Sequence, residues 1–134
     1  MHCALSIMHY KQGDFNMKYH QSEQDYLESI LTLGKENGIV HRIDVAKRLG
    51  VSGAAVNKAV KLLVERGYVY EDGKHLYLTE TGKAYAEKVY EKHCILRAFL
   101  EKLGVSPARA EEDACYMEHV VSEETFHKMK AFLD

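Results

Sequence analysis

The chain has 134 residues, about the length of one domain, and 46% of them are hydrophobic, 28% are charged and one is proline. This composition excludes collagen-like, mucin-like and largely disordered chains, and no apolar run approaches the roughly 20 residues that cross a bilayer. A formal net charge of −2 also argues against a protein that coats nucleic acid indiscriminately.

The first segment in chain order is an N-terminal extension, residues 1–21, which we expect to be mobile and functionally neutral. It has neither a basic lead-in nor a small-residue cleavage site, so we predict no export signal. The three cysteines of the chain are widely spaced and include no CxxC motif, which argues against a disulfide framework, so we expect a cytoplasmic protein. One alternative is that Met17 is the true start of the chain. Another is an extra metal-binding tail made of His2, Cys3, His9 and His20.

Three helices are predicted next. The first runs from about residue 23 to 36, because Ser22 before acidic residues is a capping signal and apolar residues follow at helical spacing. The second covers residues 43–49 and is stopped by Gly50, and the third begins after its cap, Ser52. Two short helices around a tight turn are typical of a helix-turn-helix.

The pattern then changes to a hairpin. Residues 68–70 and 75–78 are rich in β-prone side chains and flank a turn, which is the size of the wing in winged-helix proteins. Capping signals and a proline at a first helical position predict three further helices. They run from about 82 to 103, from Ser106-Pro107 to about 119, and from Ser122 to the C-terminus.

These elements predict a mainly α-helical protein, with a winged helix-turn-helix domain over residues 22–80 and a helical domain over residues 81–134. Segment 42–66 carries six basic and two acidic side chains, whereas the chain from residue 81 onward carries eight basic and ten acidic ones. A basic segment followed by an acidic one indicates two separate functions.

The basic segment has the features of a helix that reads DNA. Such a helix needs short side chains near its N-terminus and cations along its flank, because bulky groups would hold it away from the base edges. Taken alone, the segment also fits an ordinary solvated helix, but the hairpin that follows favours DNA binding. The candidate DNA-binding residues are Arg42, Ser52, Gly53, Ala54, Ala55, Asn57, Lys58 and Lys61.

The acidic part contains a candidate metal site. Offsets of three and four residues place Cys115, Glu118 and His119 on one helix face. A thiolate, a carboxylate and an imidazole suit iron(II), manganese(II), zinc or cobalt better than calcium or magnesium. The simpler interpretation is a buried thiol beside ordinary surface residues.

Three more residues are candidates on weaker grounds. Asp25 and Glu28 lie one turn apart on the first helix, where the alternative is that Asp25 favours the helix dipole and Glu28 is solvated. His93 lies on the long helix, where a lone histidine is more often a hydrogen-bonded structural residue than a ligand.

Taken together, these motifs resemble a known family. The segment from Glu112 to Glu124, with its Cys-x-x-Glu-His motif, is similar to the metal-site segment of the diphtheria-toxin-repressor family of iron- and manganese-dependent transcriptional repressors. Segment 25–30 resembles the start of that family's first helix, and Lys92-His93 resembles the metal-binding position of its long helix. The resemblance covers about residues 22–134 in the family's order and spacing.

The resemblance implies that the second domain binds metal and dimerises, and it implies a ligand set. The set comprises Asp25, Glu28, His93, Cys115, Glu118 and His119. It is a hybrid, because Asp25 is typical of manganese-type members and Cys115 of iron-type members. Arg97 stands where members often have glutamate, and Glu111 where iron-type members have a second-site histidine. The chain ends near residue 134, so we expect the two-domain form without the SH3-like domain.

The resemblance also leads to a hypothesis about mechanism. An ion bridging the first helix and the helical domain would fix their relative angle, and a dimer would then present two recognition helices to a palindromic DNA operator. The apolar residues of the last two helices favour a dimer, although they could instead pack on the long helix. They are Ala110, Ala114, Met117, Phe126, Met129, Phe132 and Leu133.

Two other functions are open to the same residues. A winged-helix regulator that responds to thiol oxidation could use Cys94 and Cys115, provided that both thiols are exposed. A small metalloenzyme would use a similar ligand mix, but the sequence has no separate general base, nucleophile or phosphate-binding loop. We therefore predict a metal-dependent repressor that is not an enzyme and has no small organic substrate.

Overall fold

A computed structural model describes residues 15–134, with side chains described from Glu23 onward. The described part contains six helices and one two-stranded sheet. In chain order they are α1 (Phe15–Asn37), α2 (Arg42–Leu49), α3 (Gly53–Glu65), β1 (Val69–Asp72), β2 (His75–Leu78), α4 (Glu80–Lys102), α5 (Pro107–Met117) and α6 (Glu123–Leu133). The predicted extension, up to residue 14, lies outside the described residues.

Helix α1 is longer than predicted. It begins at Phe15 and continues through Ser22, so the predicted start after Ser22 is wrong, and residues 15–21 continue the helix. Residues 15–21 contain no proline or glycine that would stop helical hydrogen bonding. The C-terminal end agrees with the prediction, because Gly38 has φ 80° and its N–H donates to the carbonyl of Gly34 at 2.8 Å.

The helix-turn-helix is confirmed. Gly50 ends α2 in the left-handed conformation with φ 66°. The hydroxyl of Ser52 caps α3 by accepting from the N–H of Ala55 at 3.1 Å. Helix α3 then buries Val56, Val60 and Leu63 against the rest of the domain and leaves its opposite face to solvent.

The wing is also confirmed. Strands β1 and β2 pair antiparallel with Val69 opposite Leu78, and Gly73 turns the chain with φ 64°. The N–H of Leu76 donates to the carbonyl of Val40 at 2.9 Å, which joins the wing to the segment before α2. The wing is therefore fixed to the helix-turn-helix, whose second helix, α3, is the candidate recognition helix.

Two apolar cores share helix α4. The larger core contains buried side chains from α1, α2, α3 and the wing, and Ala86 of α4 belongs to it. The smaller core is formed by Leu96 of α4 with Ala114 and Phe126 from the last two helices. No helix in the described part of the chain is long and apolar enough to cross a membrane.

The first turn of α4 contacts the segment that follows α3. The hydroxyl of Thr79 accepts from the N–H of Gly82 at 3.0 Å and donates to the carbonyl of Gly67 at 2.7 Å. Gly82 is buried, and a Cβ atom there would stand 1.9 Å from the carbonyl oxygen of Tyr68. Helix α4 therefore approaches the end of α3 closely at this position because Gly82 has no side chain.

Candidate functional site

His93, Cys115 and Glu118 form one buried group where α4 crosses α5. His93 and Cys115 have no exposed surface, and Glu118 is 2% exposed. Nδ1 of His93 lies 2.9 Å from Oε1 of Glu118. One donor atom from each of the three residues lies within 4.8 Å of the other two, so the group has the spacing of a metal site.

His119 joins this group to α1. Its Nδ1 lies 2.6 Å from Oε1 of Gln24, and its Nε2 lies 3.3 Å from Oδ1 of Asp25. Because the amide oxygen of Gln24 can only accept, it places the proton of a neutral imidazole on Nδ1 and leaves the lone pair of Nε2 facing Asp25. Among the described side chains, neither Nε2 of His119 nor Oδ1 of Asp25 has a hydrogen-bond partner.

Two buried atoms that face each other at 3.3 Å without a hydrogen-bond partner need a shared proton or cation between them. The side chains of His119 and Asp25 are 1% and 7% exposed, so bulk water does not supply it. A proton or a metal cation would satisfy both atoms. The donor chemistry of the surroundings, with a thiol, imidazoles and carboxylates, fits a divalent transition ion.

Burial raises the pKa of both carboxyl groups that α1 brings to the site. Desolvation raises the pKa of Asp25 above its ordinary value, although His119 opposes the shift. Burial, followed by repulsion from Asp25 and Glu111, raises the pKa of Glu28 to about 8. Oε2 of Glu28 also lacks a hydrogen-bond partner among the described side chains. Repulsion among these carboxylates is a cost that a bound cation would offset.

Glu111 contacts the ring nitrogen of His93 that Glu118 does not contact. Its Oε2 lies 3.0 Å from Nε2 of His93, and its Oε1 accepts from Arg97 at 3.2 Å. Burial opposes the charged form of Glu111, but His93 and Arg97 outweigh it and lower the pKa of the carboxyl. Burial lowers the pKa of the His93 imidazole, and the charge of Glu111 works against that shift.

The structure therefore brings five of the six predicted ligand residues into two adjoining groups. These are His93 with Cys115 and Glu118, and His119 with Asp25, while Glu28 lies one turn further along α1 towards Glu111. Sequence reasoning missed Gln24 as the partner of His119. No local pattern connects residues that are 95 positions apart, although the place of Gln24 beside Asp25 was a weak signal.

All but one of the predicted DNA-binding residues lie on α3 or at its cap, and Arg42 begins α2. Ala55 is half-buried, and Arg42 is half-buried and forms an ion pair with Glu71 of the wing. The others are exposed, namely Ser52, Gly53, Ala54, Asn57, Lys58 and Lys61. A surface of small side chains flanked by lysines therefore faces solvent.

The thiol-oxidation alternative loses support from burial. Cys115 is completely buried and Cys94 is half-buried, whereas a redox-sensing thiol needs access to its oxidant. Cys115 instead lies within reach of His93 and Glu118, which is the environment of a ligand or of a structural thiol.

Comparisons with known proteins match both halves of the chain. Residues 18–76 match the family model for the iron-dependent repressor N-terminal DNA-binding domain, and residues 79–134 match the model for the iron-dependent repressor metal-binding and dimerisation domain. Together the two models cover almost all of the described residues.

Two sequence relatives and one solved structure support the match. An uncharacterized HTH-type transcriptional regulator of Methanocaldococcus jannaschii is 38% identical over 85% of this chain and 94% of its own length. The transcriptional regulator MntR of Escherichia coli O6:H1 is 41% identical over 81% of this chain and 70% of its own.

The solved structure is a manganese-dependent transcriptional repressor in complex with manganese. It superposes with a TM-score of 0.76 at 30% identity and covers 83% of this chain. The chain spans 52% of that repressor's length. These relatives are transcriptional regulators, not enzymes, in agreement with the prediction from the sequence.

Proposed function

This chain belongs to the iron-dependent repressor family and is a metal-dependent transcriptional regulator, and we propose that it represses by binding a palindromic operator as a homodimer when loaded with manganese(II) or iron(II). The observation that carries the proposal is the buried pair of acceptors, Nε2 of His119 and Oδ1 of Asp25, at 3.3 Å. The two residues belong to the two different halves of the chain that the family models match.

The residues that would hold the ion are the six predicted from the resemblance. Asp25 and Glu28 come from α1, and the other four come from the helical half: His93, Cys115, Glu118 and His119. When bound, the ion supplies the positive charge that these carboxylates and lone pairs lack. The residues themselves hold α1 against the end of α5, and their mutual repulsion opposes that contact when the charge is absent.

The ligand chemistry restricts the metal without selecting a single one. The oxygen donors Asp25 and Glu28 favour manganese(II), whereas the sulfur of Cys115 favours the softer iron(II), with zinc and cobalt as binders in vitro. One solved relative is a manganese-dependent repressor. We propose manganese(II) or iron(II) as the working ion.

Two exposed apolar side chains support the dimer. Five of the seven apolar residues that favoured it are accounted for within the chain, because Ala110, Ala114 and Phe126 are buried and Met117 and Met129 pack against the smaller core. Phe132 and Leu103, however, are both 60% exposed at the same end of the helical half. Lys102, the neighbour of Leu103, contacts Phe132, so the two apolar side chains lie near one another, and neighbouring exposed apolar side chains are typical of a protein interface.

A metal titration of DNA binding tests the proposal. The probe is the duplex recovered from a random-sequence pool by the manganese-loaded protein. We expect manganese(II) or iron(II) to tighten its binding by at least tenfold, a chelator to reverse the effect, and sedimentation of the loaded protein to show a dimer. Equal affinity with and without metal, or a monomer under both conditions, would contradict the proposal.

Lys58 supplies a prediction for the DNA interface. The side chain is exposed on the flank of α3, and we expect it to contact a phosphate. Lys58→Ala should weaken binding to all duplexes by a similar factor and reduce the slope of log affinity against log salt by about one. Lys128→Ala, an exposed lysine on α6, is the control. Loss of affinity for one sequence only, with an unchanged salt slope, would contradict a phosphate contact.

A further inference from the structure

A chain of hydrogen bonds links the candidate metal centre to the recognition helix. Nδ1 of His119 meets Oε1 of Gln24 at 2.6 Å, and Nε2 of Gln24 donates to the hydroxyl of Tyr85 at 3.4 Å. That hydroxyl donates to Oε2 of Glu23 at 3.1 Å. Oε1 of Glu23 accepts from Arg66, the residue that ends α3. This series of hydrogen bonds runs from the helical half of the protein to its DNA-binding half through side chains of α1 and α4.

The donors in this chain all point the same way. Nδ1–H of His119 donates to the amide oxygen of Gln24, the amide N–H of Gln24 donates to Tyr85, and Tyr85 donates to Glu23. Hydrogen bonds aligned in this manner polarise one another. Glu23 ends the chain with its second oxygen on the Arg66 guanidinium, and its side chain is only 10% exposed. Glu23 is therefore shielded from most competing water, whereas the Arg66 side chain is 38% exposed.

Tyr85 also contacts the segment that follows α3. Its ring packs edge-on against the ring of Tyr68, with centroids 5.2 Å apart, and the N–H of Tyr68 donates to the carbonyl of Leu63 in α3 at 2.9 Å. Tyr68 is also the residue whose carbonyl oxygen faces Gly82. Tyr85 thus supports the end of α3 by its ring and reaches the side chains of α1 by its hydroxyl, so a change at the hydroxyl can be separated from a change in packing.

We propose that Gln24 and Tyr85 are positioning residues that couple occupancy of the candidate metal centre to the placement of the recognition helix. Gln24 holds the Nδ1 proton of His119, and this directs the Nε2 lone pair towards Asp25. Tyr85 transmits the position of Gln24 to Glu23 and so to Arg66. This inference rests on the proposed metal-dependent DNA binding, and it assigns no ligand role to either residue.

The test is Tyr85→Phe, which removes the hydroxyl and keeps the ring against Tyr68. The measured quantity is the coupling factor, defined as the dissociation constant of the selected duplex without manganese(II) divided by that with it. We expect this factor to fall about threefold to tenfold. Because linkage is reciprocal, the gain in manganese affinity on adding the duplex should fall by the same factor.

A matched control removes a different bond of α1. Glu36 of α1 pairs with Arg48 of α2 at 2.8 Å, and Glu36→Gln should leave the coupling factor unchanged. Glu23→Gln should lower it as Tyr85→Phe does. If both of these variants keep the coupling factor within twofold of the Glu36→Gln control, the inference is overturned. If the unaltered protein itself has a coupling factor of one, it is the proposed function that fails.

A second measurement needs neither metal nor DNA. Nitrogen NMR of the metal-free protein reports which ring nitrogen of His119 carries the proton. We expect the Nδ1–H tautomer in the unaltered chain, a shift towards Nε2–H in Gln24→Leu, and retention of Nδ1–H in Gln24→Glu, which keeps an acceptor at that position. An unchanged tautomer in Gln24→Leu would overturn the positioning role of Gln24.

Discussion

Glu118→Gln is expected to lower metal affinity by at least roughly 100-fold and to abolish the metal-dependent gain in DNA affinity. The substitution keeps the size of a buried side chain and its contact with His93, but it removes the charge. Loss of an outer partner of a metal ligand already costs about 10- to 100-fold in metal affinity, and loss of a charged donor should cost at least as much.

Metal affinity is measured by competition with a fluorescent chelator, and DNA affinity with the same selected duplex. Glu124→Gln is the control, because Glu124 is an exposed carboxylate on α6. His119→Ala should behave as Glu118→Gln does. If DNA binding by both variants kept its full metal dependence, the proposed metal site would be contradicted.

Gly82→Ala is expected to have the largest effect on stability. The new methyl group would stand 1.9 Å from the carbonyl oxygen of Tyr68, and 2.8 Å from its carbonyl carbon. Both atoms belong to the backbone, so neither a rotamer change nor a flexible side chain relieves the clash. Overpacking of this kind costs about 1–3 kcal/mol, and a rigid neighbour places the variant at the upper end.

The matched control is another helical glycine with the opposite expectation. A Cβ at Gly34, inside α1, would meet only Cγ2 of Val40 at 3.8 Å, an ordinary contact. Gly34→Ala should therefore stabilise the protein by roughly 0.5–1 kcal/mol through helix propensity. Urea denaturation of the two variants measures the difference, and equal stabilities would show that α4 can move away from Tyr68 freely.

The order of the elements could be predicted from the sequence because local chemistry sets their ends. Gly50 and Gly104 adopt positive φ where the sequence placed helix ends, and the hydroxyls of Ser52 and Ser122 accept the capping bonds expected of them. The start of α1 could not be predicted in the same way. Ser22 carries a capping signal, but nothing before it prevents the helix from continuing.

The candidate site was predictable only in part. Spacing placed Cys115 and Glu118 on one face, and the family resemblance added His93 and the residues of α1. The contacts of Gln24 with His119 and of Glu111 with His93 were not accessible in this way, because they form through tertiary packing. Periodicity describes one helix at a time, whereas these contacts depend on how three helices cross.

Helix α4 has 23 residues and is therefore about 35 Å long, with Ala86 in one core and Leu96 in the other. A small tilt of such a long helix moves its far end by a larger distance. His93 lies some 20 Å along the axis from the first turn, so a tilt of a few degrees there moves that turn by about 1–2 Å. A movement of the buried ligand residues can therefore be too small to disturb their own packing. It would still displace the DNA-binding half by about the width of an atom.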